Sequence, residues 1–404
     1  MHTLTLVAVA AALGAAPSSP PAASPDPKAL AVPQADLDQA TALVRKLASS
    51  SYRDRDAAAG ELRKMGRRAL PALEAGADAD DPEVRLRCEV LIPVAEADDL
   101  DARLAAFLAD KELKYQHALP GWERFVEVTD GDPAARAFYA DMMRSAPSRQ
   151  VFAALPKGKD EFARRLQARQ AQIYQNLFPQ YMGGVRTPTV PVTGVDFATI
   201  LFGEMLSNKD APDKAKPVGF NGLMNMVYQP AFRQAVETDK SAPVIRKLML
   251  GWCDTWTDPN GLQMAMNVTA NLNMKECAKY AEKVLATDKG VNNPWGKAQA
   301  VCMLARFGGK DKLPQLEALF DDKGAMPRGP GQTAMEVRDV ALIMAVTVTG
   351  QKLADYGYGV QNYGGQMNDQ MKYNPWVYTL PNEEVRTKAF AKWKDEKAKE
   401  NTKK

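Results

Sequence analysis

Residues that could carry out acid–base chemistry cluster between positions 117 and 132. Glu123 and Glu127 are four residues apart, so they would share one face of a helix, and His117 precedes them closely. Two carboxylates beside an imidazole could catalyse hydrolysis. However, Arg124 lies between the two acids, and an acidic turn before Pro133 is what the N-terminus of a helix requires. We therefore interpret this cluster as solvated and helix-capping, and predict no catalytic residues.

The sequence offers few other carriers of enzymatic chemistry. Its two histidines are His2 and His117, so removal of His2 with a leader peptide would exclude any two-histidine metal site. The motifs GxxxxGK[ST], GxGxxG, HExxH and GxSxG are absent. We therefore expect no metal and no other cofactor, and we predict that the protein is not an enzyme.

The four cysteines are Cys88, Cys253, Cys277 and Cys302, and none forms a CxxC pair. The last three lie on successive predicted helices, where a disulfide between two of them could form in an oxidising compartment. Each also lies on an apolar helical face, where cysteine behaves as a small buried hydrophobe. We favour the buried free thiols.

Aromatic residues are the strongest candidates for ligand contacts. Trp252 and Trp256 are four residues apart on one predicted helix, and further rings crowd a late segment: Tyr356, Tyr358, Tyr363, Tyr373 and Trp376. Aromatic faces stack on sugars, on prolines or on each other. The alternative is that the tryptophan pair is core and that the late rings pack across the open end of the molecule.

Composition excludes several classes of partner. The chain has 404 residues, of which 46% are hydrophobic, and 52 basic residues balance 49 acidic ones to a net charge of +3. A large core is therefore available. So balanced a charge predicts no strong attraction of nucleic acid or of an anionic membrane surface.

The N-terminus has the pattern of an export signal. Leu4 to Leu13 is an apolar run that is too short to span a bilayer, and small residues follow it. We predict a signal peptide over residues 1–16 and a linker rich in Pro, Ser and Ala over residues 17–35. No other stretch is long and apolar enough for a membrane span, so we expect an exported protein of the periplasm, envelope or medium.

A repeated motif indicates the architecture that must position these residues. Leu70-Pro-Ala-Leu-Glu-Ala75 returns as Leu313-Pro-Gln-Leu-Glu-Ala318, and Gly66 and Gly309 precede the two copies at the same distance. The copies are 243 residues apart (313 − 70). Helical patterns flank both copies, and Pro71 and Pro314 are tolerated only in a first helical turn. This pattern is typical of stacked helix pairs.

The segment Pro82-Glu-Val-Arg85 follows the first motif, and Met335-Glu-Val-Arg338 follows the second after an insertion at residues 323–333. A short helix, a Gly turn, Leu-Pro-x-Leu, an Asp-rich turn and this segment together resemble HEAT-type repeats, including those of exported bacterial proteins. The resemblance covers roughly residues 36–96 and 294–350. It implies that Arg85 and Arg338 are structural residues that bond neighbouring turns.

We therefore predict an all-α fold, specifically an α-solenoid of HEAT-like helix pairs over residues 36–355, with irregular insertions at 181–195 and 323–333. A loop rich in Tyr, Gly and Asn should follow over residues 356–380. A solvated, Lys-rich helix or tail should end the chain over residues 381–404.

Such a fold presents an extended concave surface, and we expect a non-enzymatic scaffold that binds a protein partner. One alternative is a protein that binds a glycan or the cell wall through the aromatic loop, or a degenerate hydrolase. Another is a structural component of a surface layer.

Overall fold

A computed structural model describes residues 24–178, 190–208, 225–287, 293–328, 332–361 and 370–401. Regular structure in these ranges is almost entirely helical, which confirms the all-α prediction. The helices form two compact units, Met1–Leu119 and Pro120–Lys404. This division falls inside the range expected to form one array. Within the described ranges, every helix is too short or too polar to span a bilayer.

The first unit contains two helix pairs around its own core. Its helices are α1 Gln34–Lys46, α2 Tyr52–Met65, α3 Leu70–Ala77 and α4 Pro82–Ala109. Ser51 accepts from the Asp54 N–H and caps α2, and Asp81 caps α4. The core is made largely of alanine, leucine and valine from all four helices.

The described part of the linker expected over residues 17–35 includes regular structure. Pro27–Leu30 forms a 3-10 helix that packs beside α4, and the Leu30 carbonyl accepts from Arg67 at 2.6 Å. Helix α1 begins at Gln34.

The second unit contains further helices, which are in chain order α5 Trp122–Thr129, α6 Pro133–Arg144, α7 Ala146–Phe152, α8 Lys159–Leu177, α9 Gly194–Asn208, α10 Pro230–Glu237, α11 Ala242–Asp254, α12 Pro259–Asn271, α13 Cys277–Ala286, α14 Pro294–Gly308, α15 Leu313–Glu317, α16 Val337–Val348 and α17 Glu383–Asn401. Helix α9 packs against α6, α7, α8, α10 and α11. Helices α12, α13, α14 and α16 then pack each against the next.

The insertion expected at residues 181–195 lies mostly outside the described residues, and its last two residues begin α9. The insertion at 323–333 contributes to a short hairpin in which β1 Ala325–Met326 pairs antiparallel with β2 Met335–Glu336. A second short pair joins β3 Gly359–Val360 to β4 Tyr378–Thr379 across the late aromatic segment.

The two copies of the repeated motif have the same local structure. In each, a helix ends at a glycine with positive φ, +54° at Gly66 and +61° at Gly309, and a 3-10 turn leads into a helix that starts Leu-Pro. Pro71 and Pro314 both lie in a first turn. The two motifs therefore play like roles in their helices.

The two arginines after the motifs differ in their contacts. Arg85 donates to the carbonyls of Ala79 and Asp80 at 2.7 and 2.9 Å and so closes the turn before α4. Arg338 instead pairs with Glu336 at 2.5 Å and lies over the Phe390 ring. The inserted hairpin in the second copy separates α15 from α16, so the same turn is not available there.

The C-terminal segment is not the solvated helix that its lysines indicated. Ala389 and Trp393 of α17 are buried, and the Trp393 indole donates to Glu317 of α15 at 3.0 Å. Arg386 is 3% exposed and pairs with Asp339 of α16 at 2.8 Å. Lys388 and Lys394 are exposed, whereas Lys397 pairs with Glu317 at 3.4 Å beside the buried residues 386, 389 and 393.

Candidate functional site

A cleft of about 800 Å³ lies between helices α12 and α14 and the short helices at 371–377. Helices α12 and α14 begin alike, with Asp258-Pro and Asn293-Pro, whose side chains cap the first turn. The side chains of Gln263 and Asn267 form hydrogen bonds with Gln299, and Asn273 forms one with Arg306. Later residues in and after α12 therefore contact later residues of α14. The two helices are therefore parallel neighbours, and side chains four residues apart point into the same cleft.

Carboxamide side chains dominate the lining of this cleft. They are Asn260, Gln263, Asn267, Asn271, Asn293, Gln299, Gln370 and Asn374. An amide carries two N–H donors and an acceptor oxygen, so it can bond either polar group of a ligand.

Three of the amides, Gln263, Gln299 and Asn267, hold one another in place but are not saturated. Gln263 Nε2 donates to Gln299 Oε1 at 3.0 Å, and Gln299 Nε2 donates to Asn267 Oδ1 at 2.9 Å. Gln263 Oε1 is buried and has no hydrogen-bond partner among the described residues. An acceptor in this state costs free energy unless a ligand or water donates to it.

One wall of the cleft is a pair of stacked tryptophans. The rings of Trp295 and Trp376 are 3.4 Å apart between centroids and 9° from parallel. Arg328 lies over both rings and donates to the carbonyls of Pro375, Trp376 and Tyr378 at 3.0–3.1 Å. This guanidinium fixes the late segment against α14. Trp376 remains 51% exposed, so it presents a rigid apolar surface.

The cleft is nearly free of charge. Its described lining contains no carboxylate, and Arg306, near the C-terminal end of α14, is its one side chain that is charged at neutral pH. Burial raises the pKa of Tyr228, which stays a neutral phenol. The cleft can therefore bind polar and apolar groups but contains no acid–base pair.

The aromatic residues singled out from the sequence are divided between this cleft and the core. Tyr373 and Trp376 line the cleft. Trp252 and Trp256 are 1% and 4% exposed and pack edge to face, and Tyr356 and Tyr358 are also buried. Those four rings are not accessible to a ligand. Tyr363 lies outside the described residues.

Glu123 and Glu127 of the acidic cluster are both exposed on α5. Glu127 pairs with Arg124 at 2.6 Å, and Asp132 caps α6 and pairs with Lys247. In the first unit, buried His117 contacts Asp110 at 3.1 Å. Desolvation opposes ionisation of Asp110, but the backbone N–H groups of Tyr115 and Lys114, together with His117, lower its pKa overall.

The cysteines are free and buried. Burial raises the pKa of Cys277 to about 11 and also raises the pKa of Cys253 and Cys302, so these thiols stay protonated. Within the described ranges, no group of three or more His, Cys, Asp or Glu side chains could hold a metal ion.

Sequence reasoning missed the amides, although the sequence contains their signal. Gln263, Asn267 and Asn271 recur every four residues within an otherwise apolar helical pattern, which places them on one face. Their partners on α14 and in the late segment depend on tertiary contacts and could not be predicted.

Comparison with protein-family models, curated proteins and solved structures finds no significant match to this chain. The inference of function therefore rests on the residues that line the cleft.

Proposed function

We propose that this protein is a non-enzymatic binding scaffold whose amide-rich cleft binds an extended segment of a partner polypeptide. The observation that carries this proposal is the row formed by Gln263, Asn267 and Asn271 along α12. A binding role is favoured over catalysis because the described lining offers no carboxylate or imidazole.

The spacing of the row matches an extended peptide. Residues four apart on a helix are about 6 Å apart along its axis, at a rise of about 1.5 Å per residue. Alternate residues of an extended chain are about 6.6 Å apart, at about 3.3 Å each. Successive amides can therefore bond the N–H and C=O groups of alternate ligand residues.

The tryptophan wall supplies a site for a side chain. Trp376 is held flat against Trp295, so an apolar ring or aliphatic chain that contacts it buries area without ordering a mobile indole. In peptide-binding grooves, hydrogen bonds to the peptide backbone usually supply affinity, and pockets for one or two side chains supply specificity.

The wider architecture of the proposal is an α-solenoid of HEAT-like helix pairs. It is supported by the two copies of the Leu-Pro motif and by the parallel arrangement of α12 and α14 with α13 packed against both. Inner helices that run parallel line a continuous surface in such arrays. The resemblance to exported proteins and the apolar run from Leu4 favour export, which N-terminal sequencing of the mature protein would test.

A neutral glycan is the second candidate ligand, because Trp376 is an exposed flat ring beside amides that can bond hydroxyl groups. A glycan would explain the aromatic wall. It would not require the regular spacing of amides along α12, so the polypeptide is favoured.

Selection from a library of random linear peptides, followed by calorimetry with the enriched peptides, tests the proposal. Trp376→Ala and Asn267→Ala should each weaken binding at least tenfold, since hot-spot truncations typically cost about 2 kcal/mol. Tyr52→Ala and Gln234→Ala are matched controls, because both side chains are exposed and lie outside the cleft. They should leave the affinity unchanged.

Enrichment of no peptide, or of peptides whose binding survives Trp376→Ala and Asn267→Ala, would overturn the proposal. Retention on a neutral glycan array that is lost with the same two variants would favour the second candidate. Assembly of the pure protein into sheets at high concentration would instead support a surface-layer component.

A further inference from the structure

We infer that the cleft recognises a carboxylate on its ligand and that Arg306 is the residue that binds it. This inference rests on the proposed polypeptide ligand and specifies that one end of the bound segment carries a carboxylate. It would make Arg306 a specificity-determining residue rather than part of the fold.

Arg306 differs from most arginines of the second unit in having no acidic partner. Arg124, Arg165 and Arg233 each pair with a glutamate within one turn of their own helix. Arg306 lines the cleft, and no carboxylate among the described residues forms an ion pair with it.

The guanidinium of Arg306 is positioned and still has donors to spare. Its Nη2 donates to Asn273 Oδ1 at 2.9 Å, and its carbon lies 4.7 Å from the centre of the Phe307 ring. Asn273 has a positive φ of 50° and is fixed by its own backbone bond to Ala270. A guanidinium has five N–H donors, so enough remain for a bidentate carboxylate.

The position of Arg306 sets a register for the ligand. Trp295 and Arg306 are eleven residues apart on α14 (306 − 295), or about 16 Å along its axis. An extended chain covers that distance in about five residues. The preferred ligand is therefore an extended segment with an apolar or ring side chain at one end and a carboxylate about five residues away.

The carboxylate has two sources, an Asp or Glu side chain and the free C-terminus of the partner. Both would make the same bidentate contact with Arg306. Peptides with an internal Glu and an amidated end, and peptides that end at that position with a free carboxylate, distinguish them.

The test compares peptide pairs drawn from the selection above that differ only by Glu or Gln at the register position. Wild-type protein should bind the Glu peptide about tenfold more tightly, because hydrogen bonds to charged groups are worth more than neutral ones. Arg306→Gln should abolish this preference while leaving the affinity for the Gln peptide unchanged. Arg306→Lys should retain part of it, and added salt should reduce it.

Arg164→Gln is the matched control, since this arginine is exposed on α8 and already paired with Glu161. It should keep the full preference. Equal binding of the Glu and Gln peptides by wild type, or a preference that persists in Arg306→Gln, would overturn the inference while the cleft still binds peptide. Loss of binding to both the Glu and the Gln peptide in the Trp376→Ala variant would show that the cleft is the binding site. Failure of this inference can therefore be distinguished from failure of the proposed function.

Discussion

Glu204 is a buried carboxylate that no ion pair compensates among the described residues. It lies on α9, is 4% exposed, and accepts a hydrogen bond from Gln170 of α8. Desolvation raises its pKa from 4.5 to about 7, with the Gln170 bond opposing this only in part. The folded protein therefore keeps a proton on Glu204 at pH values where the unfolded chain has lost it.

The sign of the resulting pH dependence follows from that difference. Between about pH 4.5 and pH 7 the folded state binds more protons, so its stability falls as the pH rises through this window. Each unit of pKa difference between the folded and unfolded states corresponds to about 1.4 kcal/mol. Above pH 7, burial of Glu204 therefore lowers the free energy of unfolding by about 3 kcal/mol.

We expect Glu204→Gln to remove this penalty, because the amide has the same shape and its oxygen can still accept from Gln170. The variant should be up to about 3 kcal/mol more stable than wild type at pH 8 and nearly equal to it at pH 4.5. Urea denaturation at a series of pH values measures this. Glu384→Gln, which removes an exposed pair with Lys388, should leave the stability at pH 8 nearly unchanged. An unchanged pH slope in Glu204→Gln would contradict the assignment.

Single residues differ in how much of their role the sequence reveals. Glu204 stands within Ile200-Leu-Phe-Gly-Glu-Met-Leu206, and an acid inside so apolar a helical run is expected to be buried. The sequence does not show which tryptophans are buried and which are exposed. Trp252 is core and Trp376 is half exposed, and their neighbours in the sequence do not decide which ring meets a second packing helix.

At the scale of elements, the glycine between a helix and the Leu-Pro turn is the feature that both copies of the repeat share. Gly66 and Gly309 have ψ values of −129° and −147° with positive φ, a combination open essentially to glycine alone. The sequence predicted this turn because glycine and proline punctuate the chain at fixed offsets. It could not predict the hairpin inserted after the second copy, whose strands have two residues each.

We expect alanine at either of these glycines to destabilise the protein by a similar amount. Gly309→Ala should cost about 1–3 kcal/mol from backbone strain alone, since nothing lies within 4 Å of the new Cβ. Gly66→Ala should cost a similar amount, because the Asp98 Oδ2 atom that lies 2.4 Å from the new Cβ ends an exposed side chain that can rotate away. Thermal and urea unfolding measure both.

Gly60 provides the internal control for this pair. It lies within α2 and has open space around its Cβ position, so Gly60→Ala should stabilise the protein by about 0.5–1 kcal/mol. Equal effects at positions 60 and 309 would show that the turn does not require the positive φ.

At the scale of the whole molecule, the described contacts form two units, each with its own core. The sequence predicted helix pairs but not the division after Leu119, because the helical pattern of the middle segment departs from the repeat. It also did not predict that α17 packs on α15 and α16. Seven lysines after position 387 concealed the short stripe of Arg386, Ala389 and Trp393.

The contact between α17 and α16 is an ionic cluster at the C-terminal end of the second unit. Asp339 is fully buried and accepts from Arg386, from the Tyr358 hydroxyl at 3.1 Å and from the Glu336 N–H at 2.8 Å. Arg386 also donates to the Ala334 carbonyl at 2.7 Å. One guanidinium thus joins α17, α16 and the hairpin strand before it.

Arg386→Met should therefore destabilise the second unit by about 3–5 kcal/mol, because it leaves the Asp339 carboxylate buried without its cation. Adding Asp339→Asn should recover part of that loss, since no charge then remains buried, and the two changes should be far from additive. Lys388→Met on the exposed face of the same helix should cost under about 0.5 kcal/mol. Urea denaturation followed by tryptophan fluorescence measures all three, because the buried Trp393 lies seven residues (393 − 386), about two helical turns, beyond Arg386 and reports on release of α17. If Arg386→Met were as mild as Lys388→Met, α17 would be held by Trp393 and Phe390 alone, and the buried ion pair would contribute little to closing the unit.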